Sequence, residues 1–165
     1  MKFKKALFLA VALIICALCL CACGDDEVLT TTFTCGDFSI TLPKYFKENN
    51  EDIPPNFSFY YSNNNIEIVL GAMETKAALA SSGYDVDSLY GYACLVAEIY
   101  GEDSKIEQKD NYYYIVYERT IAGTEFKYIT GFFENENSYL SVSYTTYKTV
   151  FNLALAQTYM QTVEF

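Results

Sequence analysis

Short runs of alternating apolar and polar residues recur along most of the chain, with turn residues between them. In the first clear run, Phe38–Leu42, the apolar residues alternate with Ser39 and Thr41. Successive side chains of a β-strand point to opposite sides, so this period of two predicts a half-buried strand. Gly36 precedes the run, and we expect a hairpin over residues 33–42 with its turn at that glycine.

The middle of the chain holds a strand pair followed by two helical patterns. The predicted elements are strands at Phe57–Tyr61 and Ile66–Met73 and helices at Thr75–Ser81 and Ser88–Tyr100. One apolar stripe of the second helix contains Leu89, Tyr92 and Val96, as expected of a helix that packs on a sheet. Asp87 stands before this helix, and aspartate is a preferred residue at helix N-termini, so we expect Asp87 to be the N-cap.

The last part of the chain has the clearest pattern. Four strands are predicted there, at Lys105–Lys109, Tyr112–Ile121, Glu125–Glu134 and Ser138–Thr146. The links between them are so short that neighbouring strands must run antiparallel, as a meander. The second of these strands is apolar on both sides, which indicates a central strand, whereas the fourth predicts one core face and one wetter face. A final helix is predicted at Lys148–Thr162, with an apolar face that contains Phe151, Leu155, Thr158 and Tyr159.

This order of elements predicts the fold class. Strands grouped in hairpins and meanders, with helices between the groups, are typical of α+β proteins with a mainly antiparallel sheet. A strand that is apolar on both sides also favours helices packed on both faces of that sheet. The sequence therefore predicts an α+β domain with helices on both faces, arranged as an α/β/α sandwich.

The first residues form a different pattern, that of a secretory leader. Lys2, Lys4 and Lys5 give a positive start, and an unbroken apolar run follows from Ala6 to Cys23. A positive start, an apolar core and small residues at the end are the features of a signal peptide. An uncleaved membrane anchor is the alternative, because this run is at the short limit for a spanning helix. Positive residues stay inside, so both interpretations place the rest of the chain outside the membrane.

The end of the leader, Leu20-Cys21-Ala22-Cys23, resembles the lipobox of bacterial lipoproteins. The resemblance implies that a diacylglycerol is attached to the Cys23 thiol and that residues 1–22 are removed as the lipoprotein signal peptide. Cys21 and Cys19 are poorer candidates for lipidation, because leucine rather than a small residue precedes each of them. We therefore expect the protein to be lipid-anchored at the outer face of the cell membrane, where two acyl chains bind stably.

Cleavage after Ala22 would leave 143 of the 165 residues, enough for one domain with its own core. We place a single α+β domain at residues 33–165 and the lipidated cysteine with a short tether at residues 23–32. Once the three leader lysines are lost, 8 basic residues would face 21 acidic ones, for a net charge of −13. A domain this acidic repels phosphate backbones, which argues against a nucleic-acid partner, and it gains no electrostatic attraction to anionic lipid.

Histidine is absent from the sequence, which removes many forms of catalysis. Ser-His-Asp and Cys-His nucleophiles and histidine-bound catalytic metals need it, and no Gly-rich phosphate loop occurs. Carboxylate pairs remain, and Glu118 and the pair Asp85 and Asp87 are candidates, although nothing in the sequence marks a raised pKa. The turn Glu134–Asn137 has the oxygen-bearing side chains that calcium favours but lacks the EF-hand spacing. We expect no metal, no cofactor and no enzymatic activity.

Two cysteines remain in the predicted domain, Cys35 beside the first turn and Cys94 in the second helix. Outside the membrane they can pair as a disulfide, or they can stay as buried free thiols. The chain also has 16 tyrosines, and an exposed row of them on the meander would suit sugar rings or a peptide. The candidate binding face contains Tyr112, Tyr114, Tyr117, Tyr128 and Tyr139. Ordinary half-buried sheet residues are the alternative, because tyrosine favours strands.

The segment Phe38–Pro43, with the sequence FSITLP, resembles the opening strand of Mog1/PsbP-like domains, and the later elements follow in a compatible order. The resemblance implies an α/β/α sandwich and a role in binding or assembly, with no catalytic residue to carry over. We therefore expect an anchored, non-catalytic module with a protein or cell-wall partner. The alternative is a binder of cell-envelope glycans or peptides that uses the tyrosine-rich face. A solute receptor and a carboxylate hydrolase are less favoured.

Overall fold

The computed structural model describes residues 28–64, 66–100 and 104–165. The predicted signal peptide, residues 1–22, and the predicted lipidation site Cys23 lie outside the described residues. None of the helices in the described ranges is long and apolar enough to cross a membrane.

The described residues form strands and helices in the following order. The first group of strands is β1 (Thr30–Cys35), β2 (Phe38–Pro43), β3 (Lys47–Glu48), β4 (Phe59–Asn63) and β5 (Glu67–Thr75). Two helices come next, α1 (Lys76–Ser81) and α2 (Leu89–Tyr100). The chain then continues through β6 (Glu107–Lys109), β7 (Tyr112–Ile121), β8 (Thr124–Glu134), β9 (Ser138–Tyr147) and α3 (Leu153–Met160).

The strands make one large antiparallel sheet and a separate hairpin. The large sheet has the order β3-β4-β5-β9-β8-β7-β6, and β1 pairs with β2 alone. Every strand pairing is antiparallel. The predicted α+β class with a mainly antiparallel sheet is therefore confirmed, as is the meander from β6 to β9.

The tight turns of the meander explain why its strands pair so regularly. Ala122 and Gly123 connect β7 to β8 with positive φ angles of 50° and 83°, and Ile121 pairs with Thr124. Two successive positive φ values match the right-handed twist of the flanking strands, which is why such turns favour glycine. Asp110, with φ of 52°, begins the turn between β6 and β7.

The central strand is β9, not the Tyr112 strand that the sequence predicts. β9 lies fourth of the seven strands, while β7 lies beside the short edge strand β6. The hydroxyl-bearing side of β9, predicted to be the wetter one, is buried too. Two of its hydroxyl groups are hydrogen-bonded inside the protein: the Ser143 hydroxyl lies 2.7 Å from that of Thr130, and the Thr145 hydroxyl donates to the Lys127 carbonyl. Hydrogen bonding of this kind lets small polar side chains enter a core.

Two apolar clusters use alternate residues of the large sheet. We call the side that carries Tyr112 and Tyr144 the hairpin face, because residues of β1, β2 and α3 belong to its cluster. The other side carries Ile115, Tyr117 and Tyr139 and is named the α2 face, because residues of α1 and α2 belong to that cluster. Alternate side chains of one strand point to opposite sides, so β7 contributes to both clusters.

Several helix and strand boundaries differ from the predicted ones, among them the starts of β1, α2 and α3. β1 begins at Thr30, so three residues assigned to the tether are in the hairpin. α2 begins at Leu89, and the Ser88 hydroxyl accepts the Gly91 N–H at 3.1 Å, so Ser88 rather than Asp87 is the N-cap. α3 starts later than predicted, after Asn152, whose side chain accepts the Leu155 N–H.

The face that α3 buries also differs from the predicted one. Ala156, Tyr159 and Met160 are buried, whereas Leu155, predicted to share the apolar face, is 39% exposed. A cap at Asn152 excludes Phe151 from the helix and leaves it in the connection from β9. This placement brings Phe151 to the rim of the hairpin face, where a cleft opens.

Candidate functional site

A cleft of about 390 Å³ opens on the hairpin face where β6 ends. β6 pairs with only the first three residues of β7, from Lys109 with Tyr112 to Glu107 with Tyr114. Residues before Glu107 are not part of the strand, and the space beside β7 becomes the cleft. The residues that line it are Lys105, Glu107, Tyr114, Val116, Lys127, Phe151 and Leu153.

One wall of the cleft is apolar. Val116 comes from β7, and Phe151 and Leu153 flank the cap of α3 on the opposite side. The Phe151 ring packs near the Tyr144 ring, with centroids 6.1 Å apart, and the Lys127 ammonium lies 5.7 Å from its centroid. An ammonium over an aromatic face is attractive, so the Lys127 side chain is directed along this wall.

The lining of the cleft includes a short hydrogen bond between a phenol and a carboxylate. The Tyr114 hydroxyl donates to Glu107 Oε2 at 2.6 Å, and Lys105 Nζ lies 3.4 Å from Glu107 Oε1. The bond from Tyr114, followed by the charge of Lys105, lowers the pKa of the Glu107 carboxyl. The same bond raises the pKa of the Tyr114 phenol. Glu107 is therefore a carboxylate, and Tyr114 a neutral phenol, at neutral pH.

A second charged group lies beside Lys127. Glu118 binds Lys127 at 3.3 Å through one oxygen and Lys148 at 2.8 Å through the other, and Lys148 also reaches Glu125. Hydrogen bonds from Lys148 and Lys127 lower the pKa of the Glu118 carboxyl. Glu118, a candidate acid from the sequence, is thus held ionised and cannot serve as a proton donor near neutral pH.

The chemistry of the cleft suits binding. Its lining residues carry two ammonium groups and one carboxylate, and a second carboxylate, Glu118, pairs with Lys127 from just outside the lining. Both nearby carboxylates have lowered pKa values, and a general acid needs a raised one. An apolar wall with a few polar groups at its edge is typical of ligand sites.

The tyrosines predicted as one binding face do not lie together. Tyr112 and Tyr114 lie in the hairpin-face cluster, whereas Tyr117, Tyr128 and Tyr139 lie in the α2-face cluster or against it. All except Tyr128 are buried. Tyr117 stacks on Tyr128, with ring centroids 4.9 Å apart. The prediction of a common exposed face is wrong, because residues of odd and even number in one strand point to opposite sides.

The two cysteines of the domain are free thiols in the structure. Cys35 is half-buried against the hairpin-face cluster, and its Sγ contacts the Ser58 carbonyl at 3.8 Å. Burial, followed by the charge of Glu48, raises the pKa of the Cys35 thiol. Cys94 is exposed on α2, which packs on the other face. The candidate disulfide is therefore not formed, since the sheet separates the two elements.

The acidic turn between β8 and β9 stabilises itself. Asn135 Oδ1 accepts the backbone N–H groups of Asn137 and Ser138 at 3.0 and 2.8 Å. Glu134 is paired with Lys76 at 3.3 Å. Within the part of the chain that the structure describes, no three metal-ligating side chains are grouped together.

Of the cleft residues, the sequence predicts only Tyr114 as a binding residue, and the patterns miss the others for a physical reason. Lys105 and Lys127 look like ordinary solvent-facing strand residues, and Phe151 was expected inside a helix. One local signal was available: Tyr114, Val116 and Glu118 share one side of β7 by parity. The residues opposite them come from a connection that only the tertiary fold brings near.

Comparison with solved structures shows a likeness of fold. A crystal structure from Bacteroides thetaiotaomicron matches with a TM-score of 0.56 and 16% identity, over 81% of this chain and 47% of that chain. The chain thus spans about half the length of that protein. The solution structure of cyanobacterial PsbP (CyanoP) from Synechocystis sp. PCC 6803 matches with a TM-score of 0.46 and 10% identity, over 87% of this chain and 96% of that chain. No family profile matches the sequence, and no curated protein matches it either.

Proposed function

We propose that this chain is a bacterial lipoprotein whose domain is a non-catalytic binding module at the outer face of the cell membrane. The anchor is a lipid on Cys23, and the binding site is the cleft between β7 and the connection to α3. The partner is a protein or a cell-wall component outside the membrane. The module holds its partner near the membrane without chemical turnover.

The leader supports the anchored part of the proposal. Leu20, Ala22 and Cys23 occupy the positions that a lipobox requires, after a positive start and an apolar run. The segment Phe38–Pro43, which carries the resemblance to Mog1/PsbP-like domains, forms β2 of the hairpin. That resemblance favours a role in binding or assembly over one in catalysis.

One observation carries the binding part of the proposal. The cleft combines an apolar wall with ammonium groups, and the carboxylates at its edge have lowered pKa values. A carboxylate held ionised by a phenol or by lysines can orient a ligand but has no proton to donate at neutral pH. The sequence also has no histidine to act as a base.

Anchoring is tested with two matched cysteine variants. Cys23→Ala removes the proposed acylation site. Cys21→Ala removes the sulfur atom of a neighbouring leader cysteine and is the matched control. We expect wild-type protein and the Cys21 variant in the membrane fraction of cells, and the Cys23 variant to lack the lipid by mass spectrometry. Lipid on the Cys23 variant, or its absence from the wild type, would contradict the proposal.

Binding is tested by crosslinking in cells that express the full chain. We expect one partner to be captured by the wild type and by Lys44→Met, whose lysine is exposed and does not line the cleft. Lys127→Met and Phe151→Leu change the cleft and should reduce capture several-fold. Equal capture by all four proteins would exclude the cleft as the binding site. Turnover of a substrate that a single substitution abolishes would refute the non-catalytic role.

A further inference from the structure

We propose that the cleft binds an apolar carboxylate, meaning one carboxylate group joined to a hydrocarbon or aromatic body about the size of one side chain. The inference rests on the proposed binding function and names the chemistry of the ligand. The carboxylate lies between the ammonium groups of Lys105 and Lys127. The apolar body lies against Val116, Phe151 and Leu153.

Charge favours an anion with a single negative charge. The lining side chains include two lysines and one carboxylate, Glu107, so the lining itself carries one net positive charge. Glu118, which pairs with Lys127 from outside the lining, is shared with Lys148. A dianion such as phosphate would exceed that charge, and a cation would meet two ammonium groups. One carboxylate balances the lining, and ion pairs in a partly enclosed site are stronger than ion pairs in open water.

Both lysines can turn toward a ligand without leaving a carboxylate unpaired. Glu118 keeps Lys148 at 2.8 Å if Lys127 moves from its 3.3 Å contact. Glu107 keeps the Tyr114 hydroxyl at 2.6 Å if Lys105 leaves its 3.4 Å contact. Each carboxylate therefore holds a shorter bond to another donor, and this limits the cost of freeing the two ammonium groups.

The dimensions and the wall favour a small apolar body. A volume of about 390 Å³ is at the lower end of the range for ligand pockets. Lys127 Nζ lies 5.7 Å from the centroid of the Phe151 ring. A carboxylate bound by Lys127 would therefore bring the adjoining part of the ligand against Phe151, where ring contacts are favourable.

Two sources can supply this chemistry: a free small acid, or the C-terminal residue of a peptide. The first probe is N-acetylphenylalanine, and its matched control is N-acetylphenylalaninamide, which lacks only the carboxylate charge. The second probe is an acetylated tetrapeptide that ends in phenylalanine with a free carboxylate. Each is titrated into the full chain in detergent by isothermal calorimetry.

We expect saturable binding of the acid and at least tenfold weaker binding of the amide. Lys127→Gln and Phe151→Leu should each weaken binding of the acid about tenfold or more, while Lys44→Met should leave it unchanged. Circular dichroism checks that each variant is folded, and Lys105→Gln provides a second test at an exposed position. If the tetrapeptide binds more tightly than N-acetylphenylalanine, the natural ligand is a protein C-terminus. If the two probes bind with equal affinity, the natural ligand is a small acid. Both outcomes support the site.

Equal binding of the acid and the amide would overturn the proposal, as would no saturable binding of either carboxylate probe. Failure of this inference is distinct from failure of the proposed function. If a partner is captured in cells through Lys127 and Phe151 but neither probe binds, the ligand chemistry is wrong and the binding role stands. If the acid binds but capture does not depend on the cleft, the partner lies elsewhere.

Discussion

The two faces of the large sheet are built from the same strands but differ in the size of their apolar clusters and in the elements that pack on them. Among the described residues, the hairpin-face cluster has eighteen buried members and the α2-face cluster has ten. The hairpin face is packed by residues of β1, β2 and α3, whereas the α2 face is packed by α1 and α2. The larger cluster should therefore contribute more to the free energy of unfolding, because buried apolar area drives folding.

Both faces pair tyrosine hydroxyl groups with polar side chains. On the hairpin face the Tyr144 hydroxyl donates to Glu67 at 2.8 Å, and the Tyr159 hydroxyl lies 3.2 Å from that of Tyr45. On the α2 face Tyr92 stacks on Tyr139, with ring centroids 4.7 Å apart. The Tyr92 hydroxyl also donates to Glu74 at 3.0 Å, so tyrosine hydroxyl groups are hydrogen-bonded on both faces.

Core truncations test which face dominates stability. Leu42 is fully buried in the larger cluster on the hairpin face, and Leu79 is buried in the smaller cluster on the α2 face. We expect Leu42→Ala to lower the free energy of unfolding by about 4 kcal/mol and Leu79→Ala by about 2 kcal/mol, within the range for such cavities. Urea denaturation measures both values, and an equal or reversed order would refute the difference between the faces.

Alkaline pH should destabilise the protein through the hairpin face. Burial is the main cause that raises the pKa of Tyr112 to about 12, and burial also raises the pKa of Tyr61, Tyr144 and Tyr159. In the unfolded chain these phenols ionise near pH 10. Above that pH the unfolded state loses protons that the folded state keeps, so the free energy of unfolding falls as pH rises.

Absorbance at 295 nm and circular dichroism, followed together from pH 8 to 13, test this effect. We expect part of the phenolate signal to appear only as the fold is lost. Full tyrosine ionisation near pH 10 with an intact fold would contradict the burial of these hydroxyl groups.

Two hydroxyl deletions on the hairpin face should have opposite signs. Tyr144→Phe removes a buried donor to Glu67 and should cost about 2 kcal/mol of stability. The Tyr112 hydroxyl is buried without a hydrogen-bond partner among the described residues, so Tyr112→Phe should be neutral or stabilise by about 1 kcal/mol. Thermal unfolding of both variants measures the two changes in stability. If Tyr112→Phe lost as much stability as Tyr144→Phe, the Tyr112 hydroxyl would have to be hydrogen-bonded.

The Cys35 and Cys94 thiols should react with an alkylating reagent at different rates. Cys94 is exposed on α2, while Cys35 is half-buried and its pKa is raised by burial and by Glu48. A thiolate is the reactive form, so we expect iodoacetamide at pH 8 to modify Cys94 at least several-fold faster. Peptide mass spectrometry assigns the sites, with Cys94→Ser as the control. A peptide pair that is linked only under non-reducing conditions would restore the disulfide.

Local patterns were informative where one period dominates. The alternation in Phe38–Leu42 correctly predicted β2, and the short links after Ile121 and Glu134 correctly predicted the meander. The stripe with Tyr92 correctly gave the buried side of α2. Each of these signals is contained in neighbouring residues, so no distant contact is needed to read it.

Patterns were misleading where both sides of a strand are buried. The hydroxyl residues of β9 suggested a wet face, yet the strand is central, and Ser143 and Thr145 bond to Thr130 and to the Lys127 carbonyl of β8. The tyrosines of β7 suggested a shared surface, although parity divides Tyr114 from Tyr117. The type of a side chain does not by itself predict which neighbouring element will pack on it.

The sequence by itself determined the antiparallel α+β class, the order of the meander strands and the acidity of the domain. Only the tertiary structure decided which strand is central, which face each tyrosine occupies and where the cleft opens. The physical reason is the distance along the chain over which each signal acts. Alternation and turn preferences depend on residues that are adjacent in the sequence. The cleft requires Lys105, Lys127 and Phe151 to meet across β7, and that meeting depends on packing between elements far apart in the chain.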